Sequence, residues 1–187
     1  MTAKCIVEVR SWSFHELPPS QNMTLHLCTR KQGYVKLNGH VVLQSAQCSE
    51  QERIGTSVVQ IDPATCTKLS NDTFKTYSTT GAAESTRLDD YIRNAPAGAI
   101  IAAFTSNSAQ ALDNAKDTLK SELGVDLNNF MLDGHRGSFA FIAQKGFVSK
   151  AIVVKKPDTD KSHIHPANIT AALSAGLCKL LLSIDTR

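Results

Sequence analysis

The sequence is poor in the features that mark most functional classes. It holds one Trp and three Tyr among 187 residues, too few for a platform on which nucleic-acid bases stack. Twenty Lys and Arg stand against 17 Asp and Glu, a net charge of +3 with no long basic run, so nucleic acid is not an expected partner. No stretch approaches the roughly 18 uninterrupted apolar residues of a membrane span. The C-terminal AALSAGLCKLLL is short and broken by Lys179. In the first twenty residues Lys4, Glu8, Arg10 and Glu16 leave no room for the apolar centre of a secretory leader. HExxH, GxSxG, GxGxxG and P-loop patterns are missing, which excludes the common hydrolase and nucleotide-binding signatures. No nucleophile–base or metal constellation emerges, so neither catalysis nor a cofactor is expected.

Cysteine is present but unpatterned. Cys5, Cys28, Cys48, Cys66 and Cys178 never form CxxC, which disfavours zinc and redox motifs, and their odd number leaves at least one thiol unpaired in a monomer. One or two disulfides in an extracellular protein and five thiols in a cytosolic one are both consistent with this count. Glycosylation sequons occur at Asn22-Met-Thr24, Asn71-Asp-Thr73 and Asn168-Ile-Thr170, a pattern that a Ser- and Thr-rich chain also produces by chance.

What is there describes one ordinary globular domain: 42% hydrophobic and 20% charged residues. Strand patterns dominate the first half, at 5–11, 23–29, 55–62 and 66–77. YVKLNGHVVL (34–43) reads as a hairpin closed by the Asn38-Gly39 turn. Leu88, Tyr91, Ile92 and Ala95 form a helical stripe over 85–95, ended by Pro96 and Gly98. The continuously apolar AIIAAFTS (99–106) predicts a strand buried on both faces. A second helix is expected over 108–124, capped by Ser108 and Gly124. Strands follow at 138–144 and 150–156. The fold class expected is α+β, with strands and two helices packed against them.

Few residues suggest chemistry. His163 and His165 share one face of a strand, but no third metal ligand is nearby, and a solvated pair beside Pro166 accounts for them. Asp89 and Asp90 are adjacent on a helix and point apart. Asp113 and Asp117 share a face with Lys116 and Lys120, which reads as surface ion pairing. The exception is LDGHRGSFAFIAQKG (132–146). Its polar half crowds Asp133, His135, Arg136 and Ser138 around two glycines, ahead of the alternating Phe139 and Phe141. It is either a glycine-rich turn or a site held at the mouth of a core strand.

Taken in order, YVKLNG, GTSVVQID, DTFKTYS, LDDYIRNAPAGAIIAAFTSNSAQAL, LKSELG and HRGSFAFIAQKG resemble the ILEI/PANDER domain family over about residues 1–155. The resemblance implies a compact two-sheet β-sandwich of mostly antiparallel strands flanked by short helices, with 156–187 as an extension packed on it or at an oligomer interface. It also implies a secreted or extracellular location, although no signal peptide is visible. Family members divide between cytokine-like signalling proteins and the carbohydrate-binding stem of the protein O-mannose N-acetylglucosaminyltransferase. Similar domains occur in hyaluronan-degrading cell-surface proteins. The stem uses an Arg that begins the core strand and an acidic residue after the PAG strand.

On this chain the Arg position falls on Arg136 and the acidic one on Ser106 or Asn107, so a carboxylate acceptor is replaced by weaker ones. The cytokine-like four-cysteine pattern does not map onto these five. The resemblance therefore implies a lectin-like, non-catalytic binder of β-linked galactose or N-acetylglucosamine type sugars, with glycans or glycoproteins as partners. The expected site is Arg136, Asn107, Ser106, Asp133 and His135, with Phe130, His135 or Trp12 offering an apolar face. A cytokine-like interaction protein is the alternative. Weak single sugar sites favour a homo-oligomer, its interface supplied by an odd cysteine or by Leu177–Leu182 if that run is not a helix folded back on its own subunit. A shared site also requires the strands at 99–106 and 138–144 to run antiparallel; parallel strands would put Arg136 and Ser106 at opposite ends.

Overall fold

The computed structural model describes residues 4–11, 33–45, 55–76, 81–106, 112–127, 138–156, 167–174 and 179–181. Among these residues, ten strands and two α-helices follow one another as β1 (Lys4–Arg10), β2 (Tyr34–Leu37), β3 (His40–Gln44), β4 (Gly55–Asp62), β5 (Thr67–Phe74), α1 (Gly81–Arg93), β6 (Ile100–Ser106), α2 (Asp113–Leu123), β7 (Ser138–Gln144), β8 (Ile152–Lys156), β9 (Asn168–Ser174) and β10 (Lys179–Leu181). The strand pattern read at 23–29 and the cap read at Ser108 lie outside the described residues.

The strands form two five-stranded sheets, in the orders β10-β9-β1-β2-β3 and β5-β4-β6-β7-β8. Every pairing is antiparallel. Side-chain alternation assigns each strand's two faces. Ile100, Ala102, Phe104, Ala140 and Ile142 meet Val7, Val9, Val35 and Ile169 of the first sheet. Ile101, Ala103, Phe139 and Phe141 meet Leu88, Ile92, Leu119 and Leu123 of the helices. The result is three layers, sheet on sheet on helices, with the second sheet covered on both faces. That accounts for the unbroken apolar run of β6, in which Ile100 to Thr105 are all buried.

Local signals explain most boundaries. Asn38 (φ 48°) and Gly39 (φ 83°) make the two-residue turn between β2 and β3. Asn38 also clamps that turn to β1: its Oδ1 accepts from the Ile6 N–H and its own N–H donates to the Ile6 carbonyl, both at 2.9 Å. Gly124 (φ 70°) closes α2 in the left-handed conformation, its N–H donating to the Lys120 carbonyl and the next N–H, of Val125, to the Leu119 carbonyl. The helix start differs from the expectation. α2 begins at Asp113, and the N–H of Ala115 is capped by Ser85 Oγ of α1 at 3.2 Å, a partner brought by tertiary packing.

The C-terminal segment departs most from the sequence reading. A helix over Leu177–Leu182 does not form; Lys179–Leu181 is β10, paired with β9. β9 in turn pairs with β1 along seven residues, and Ala167, Ile169 and Ala171 are buried in the sandwich. Residues 167–171 alternate between buried and exposed, as a strand on a sandwich does.

The disulfide Cys5–Cys66 ties β1 to the turn between β4 and β5, and so one sheet to the other, across 61 residues of chain. Closing a loop of that length is worth roughly 4 kcal/mol in the chain-entropy account. The tightest backbone approach is at Gly124, where a Cβ would lie 1.8 Å from the Val148 carbonyl oxygen. Gly124→Ala therefore incurs both left-handed strain and a backbone clash, and a loss of at least about 2 kcal/mol is expected in denaturant unfolding. A neutral result would mean that the α2 terminus does not hold this conformation.

Candidate functional site

The two ends of the second sheet are built differently. At one end the connections are short. Asp62 accepts the N–H groups of Ala64 and Thr65 in the turn to β5, and the hydrogen bond from Ala64 foremost holds its carboxyl below the ordinary value. At the same end Lys145 Nζ donates to the carbonyls of Ile92 (3.0 Å), Ala95 (2.8 Å) and Arg93, closing the C-terminus of α1. Gln144 Nε2 donates to the Gly98 carbonyl at 3.1 Å, and the backbones of Gly98 and Lys145, and of Lys145 and Ala99, bond to each other. The PAG and QKG stretches are thus one interlocked anchor.

At the other end the second sheet opens into longer connections. Gly55 begins β4, Phe74 ends β5, Ser106 ends β6, Ser138 begins β7 and Lys156 ends β8, and the register aligns Gly55 with Ser106 and Ser138 with Lys156. Residues 46–54, 77–80, 107–111, 128–137 and 157–166 link these strand ends to the rest of the chain, outside the described residues. Functional groups concentrate on such connections when a rigid sheet carries them.

Behind this rim lies a row of buried hydroxyls. The β6–β7 register runs to Phe104 and Ala140. Beyond it the Thr105 hydroxyl accepts the Phe139 N–H at 2.9 Å and donates to the Phe139 carbonyl at 3.4 Å. A side chain has taken over the pairing, so the rim is spaced by a threonine. Thr105 aligns with Thr56, whose hydroxyl meets that of Thr76 at 3.0 Å. Gly55 (φ 135°) is required at the start of β4, because a Cβ would stand 2.0 Å from the Phe74 carbonyl oxygen. The sequence reading missed these hydroxyls; the signal was Thr and Ser inside otherwise apolar strands.

The antiparallel β6–β7 pairing answers the topological question posed by the sequence: the end of β6 and the start of β7 lie at the same end of the sheet. Ser106 stands there as the last residue of its strand. Phe139 and Phe141 are buried as expected, their rings stacked at 6.1 Å. Asn107, Asp133, His135 and Arg136 lie outside the described residues, as do Phe130, Trp12, His163 and His165.

The acidic pairs read as surface. Asp89 bonds Arg93 at 2.8 Å and Asp113 bonds Lys116 at 2.6 Å, whereas Lys120 turns to Asp126 at 3.3 Å. Burial is the largest single influence on the Asp89 carboxyl and raises its pKa, but the hydrogen bond and charge of Arg93 and the neighbouring Thr118 hydroxyl together outweigh it, and the net shift is downward. Among the described residues no group of three His, Cys, Asp or Glu is gathered as metal ligands, and no helix is long and apolar enough to cross a membrane.

Replacing Thr105 by Val removes the hydroxyl at the rim while keeping the shape, and a loss of about 1 kcal/mol is expected in urea unfolding. Thr105→Ser should retain more of the stability than Val does. The reverse order would show that the methyl group, not the hydroxyl, matters there.

A family model described as Interleukin-like EMT inducer matches residues 54–147. That span runs from the start of β4 through β7, and therefore takes in both helices, the anchor and the rim. No curated protein matches the chain.

Proposed function

The chain belongs to the interleukin-like EMT inducer family, and we propose that it is a non-catalytic, lectin-like carbohydrate-binding module. The observation that supports this reading is the antiparallel β6–β7 pair, which puts the end of β6 at Ser106 and the start of β7 at Ser138 at one end of the sheet. Ser106, Asn107, Asp133, His135 and Arg136 are the proposed sugar contacts. Arginine supplies a planar fork that donates two hydrogen bonds to adjacent hydroxyls or to a ring oxygen. The serine hydroxyl and asparagine amide both donate and accept, which suits hydroxyls of either polarity. β-Linked galactose or N-acetylglucosamine type sugars are the ligands implied. The Cys5–Cys66 disulfide supports an oxidising, extracellular setting for this partner.

A single shallow site binds sugars weakly, so several copies held together are proposed to supply avidity. The decisive experiment is a glycan array probed with the protein displayed multivalently, beside Arg136→Ala. Charge-assisted hydrogen bonds of this kind are worth ~1.5–3 kcal/mol, so a loss of at least about tenfold in apparent affinity is expected in the variant. Binding no stronger than that of Arg136→Ala across the array would remove the lectin reading. A saturable protein receptor indifferent to Arg136 would put the cytokine-like reading in its place.

A further inference from the structure

The lateral edge formed by β3 and β5 carries an unused sequence signal. Neither strand has a neighbour on its outer side among the described residues. Unpaired edges invite strand addition by a second molecule unless something blunts them. Here the edge also exposes apolar side chains, Val41 at 49% and Leu69 at 47%. Leu69 has no counterpart in the β4–β5 register, which passes from Gln60–Ser70 to Ile61–Lys68. This bulge and Lys68, whose Nζ donates to the Val42 carbonyl at 3.3 Å, are partial defences.

Two residues beyond Leu69 stands Asn71, the first residue of the sequon Asn71-Asp72-Thr73. Its side chain is exposed and makes no hydrogen bond among the described residues. We propose that Asn71 is an N-glycosylation site and that its glycan covers the β5 edge. In the transfer, Asn71 Nδ2 bonds to C1 of an oligosaccharide carried on a lipid diphosphate. The C1–O bond to the phosphate breaks, the amide gives up one proton, and the lipid diphosphate leaves.

The folded structure accommodates the product, because the Asn71 side chain is exposed on a strand with an open side among the described residues. It also fixes the order of events. Thr73 Oγ1 is engaged with Ser57 Oγ at 3.0 Å once β5 pairs with β4, so transfer precedes that pairing. The disulfide between Cys5 and Cys66 forms in the same oxidising compartment in which such transfer occurs. The glycan is independent of the rim, which lies at the end of the second sheet, not along its side.

The test is secretion of the full chain from eukaryotic cells behind an added leader, followed by peptide mapping and treatment with peptide N-glycosidase. The expected result is a glycan on Asn71, lost in Asn71→Gln and Thr73→Ala and kept in Thr73→Ser. The Asn168→Gln variant serves as the comparison. An unmodified Asn71 in the secreted protein, or a mobility shift that survives Asn71→Gln and vanishes in Asn168→Gln, would overturn the assignment. For the covering role, light scattering should show concentration-dependent association of Asn71→Gln that Leu69→Lys suppresses. An Asn71→Gln protein that associates no more than the glycosylated one would refute that role.

Discussion

The second sheet is enclosed on both faces, and most of the remaining structure follows from that. A sheet with one wet face can satisfy stray polar groups with water. One lying between another sheet and two helices must satisfy them internally, since an unpaired buried donor or acceptor costs about 1–3 kcal/mol. Four polar residues of β4, β6 and β7 illustrate the rule. Gln60 donates to the Tyr91 carbonyl, Gln144 to the Gly98 carbonyl, Ser57 meets Thr73, and Thr105 serves the backbone of Phe139. The polar atoms cluster where strands end, because there the ladder stops and backbone groups need substitutes.

This constraint separates the part matched by the family model from the part outside it. Residues 54–147 hold β4 to β7 with both helices, the layer whose polar groups are interlocked. The first sheet is assembled around it from both ends of the chain, β1 to β3 from one side and β9 and β10 from the other. Its outer face carries Glu8, Arg10, Tyr34 and Lys36, with Lys36 Nζ 4.4 Å from the Tyr34 ring centroid and 3.9 Å from Glu8, contacts of a half-exposed surface. Joining two distant segments of chain is costly in entropy. The Cys5–Cys66 bond offsets part of that cost at the junction between sheets.

Legibility in the sequence follows the same physics. Features set by local geometry were readable: the Asn38-Gly39 turn, the Gly124 helix end, the alternation of Phe139 and Phe141, and the apolar run of β6. Features set by tertiary partners were not. Gly81 begins α1 four residues before the helical stripe is recognisable, with Glu84 accepting the Lys75 N–H and bonding Arg87. Ser85 caps a helix other than its own. β9 was not read at all and a helix stood as one alternative for the run that holds β10, because their pairing partners lie more than 150 residues away or within the same short segment. At the candidate site, the antiparallel requirement could be stated from sequence, but choosing between the two directions needed the register.

The asymmetry between the ends of the second sheet gives the site reading its physical basis. At the Lys145 end, three carbonyls converge on one ammonium and the neighbouring backbones bond to each other, so the groups there are already engaged. At the rim, the buried hydroxyls of Thr56, Thr76 and Thr105 are likewise spoken for, and they hold the strand ends in place. Rigidity at the base of the longer connections limits the ordering entropy that a ligand must offset. Sequence complexity points the same way. The anchor end uses a lysine, a glutamine and a glycine in fixed positions, and the rim, among the described residues, fixes Gly55 and its threonines.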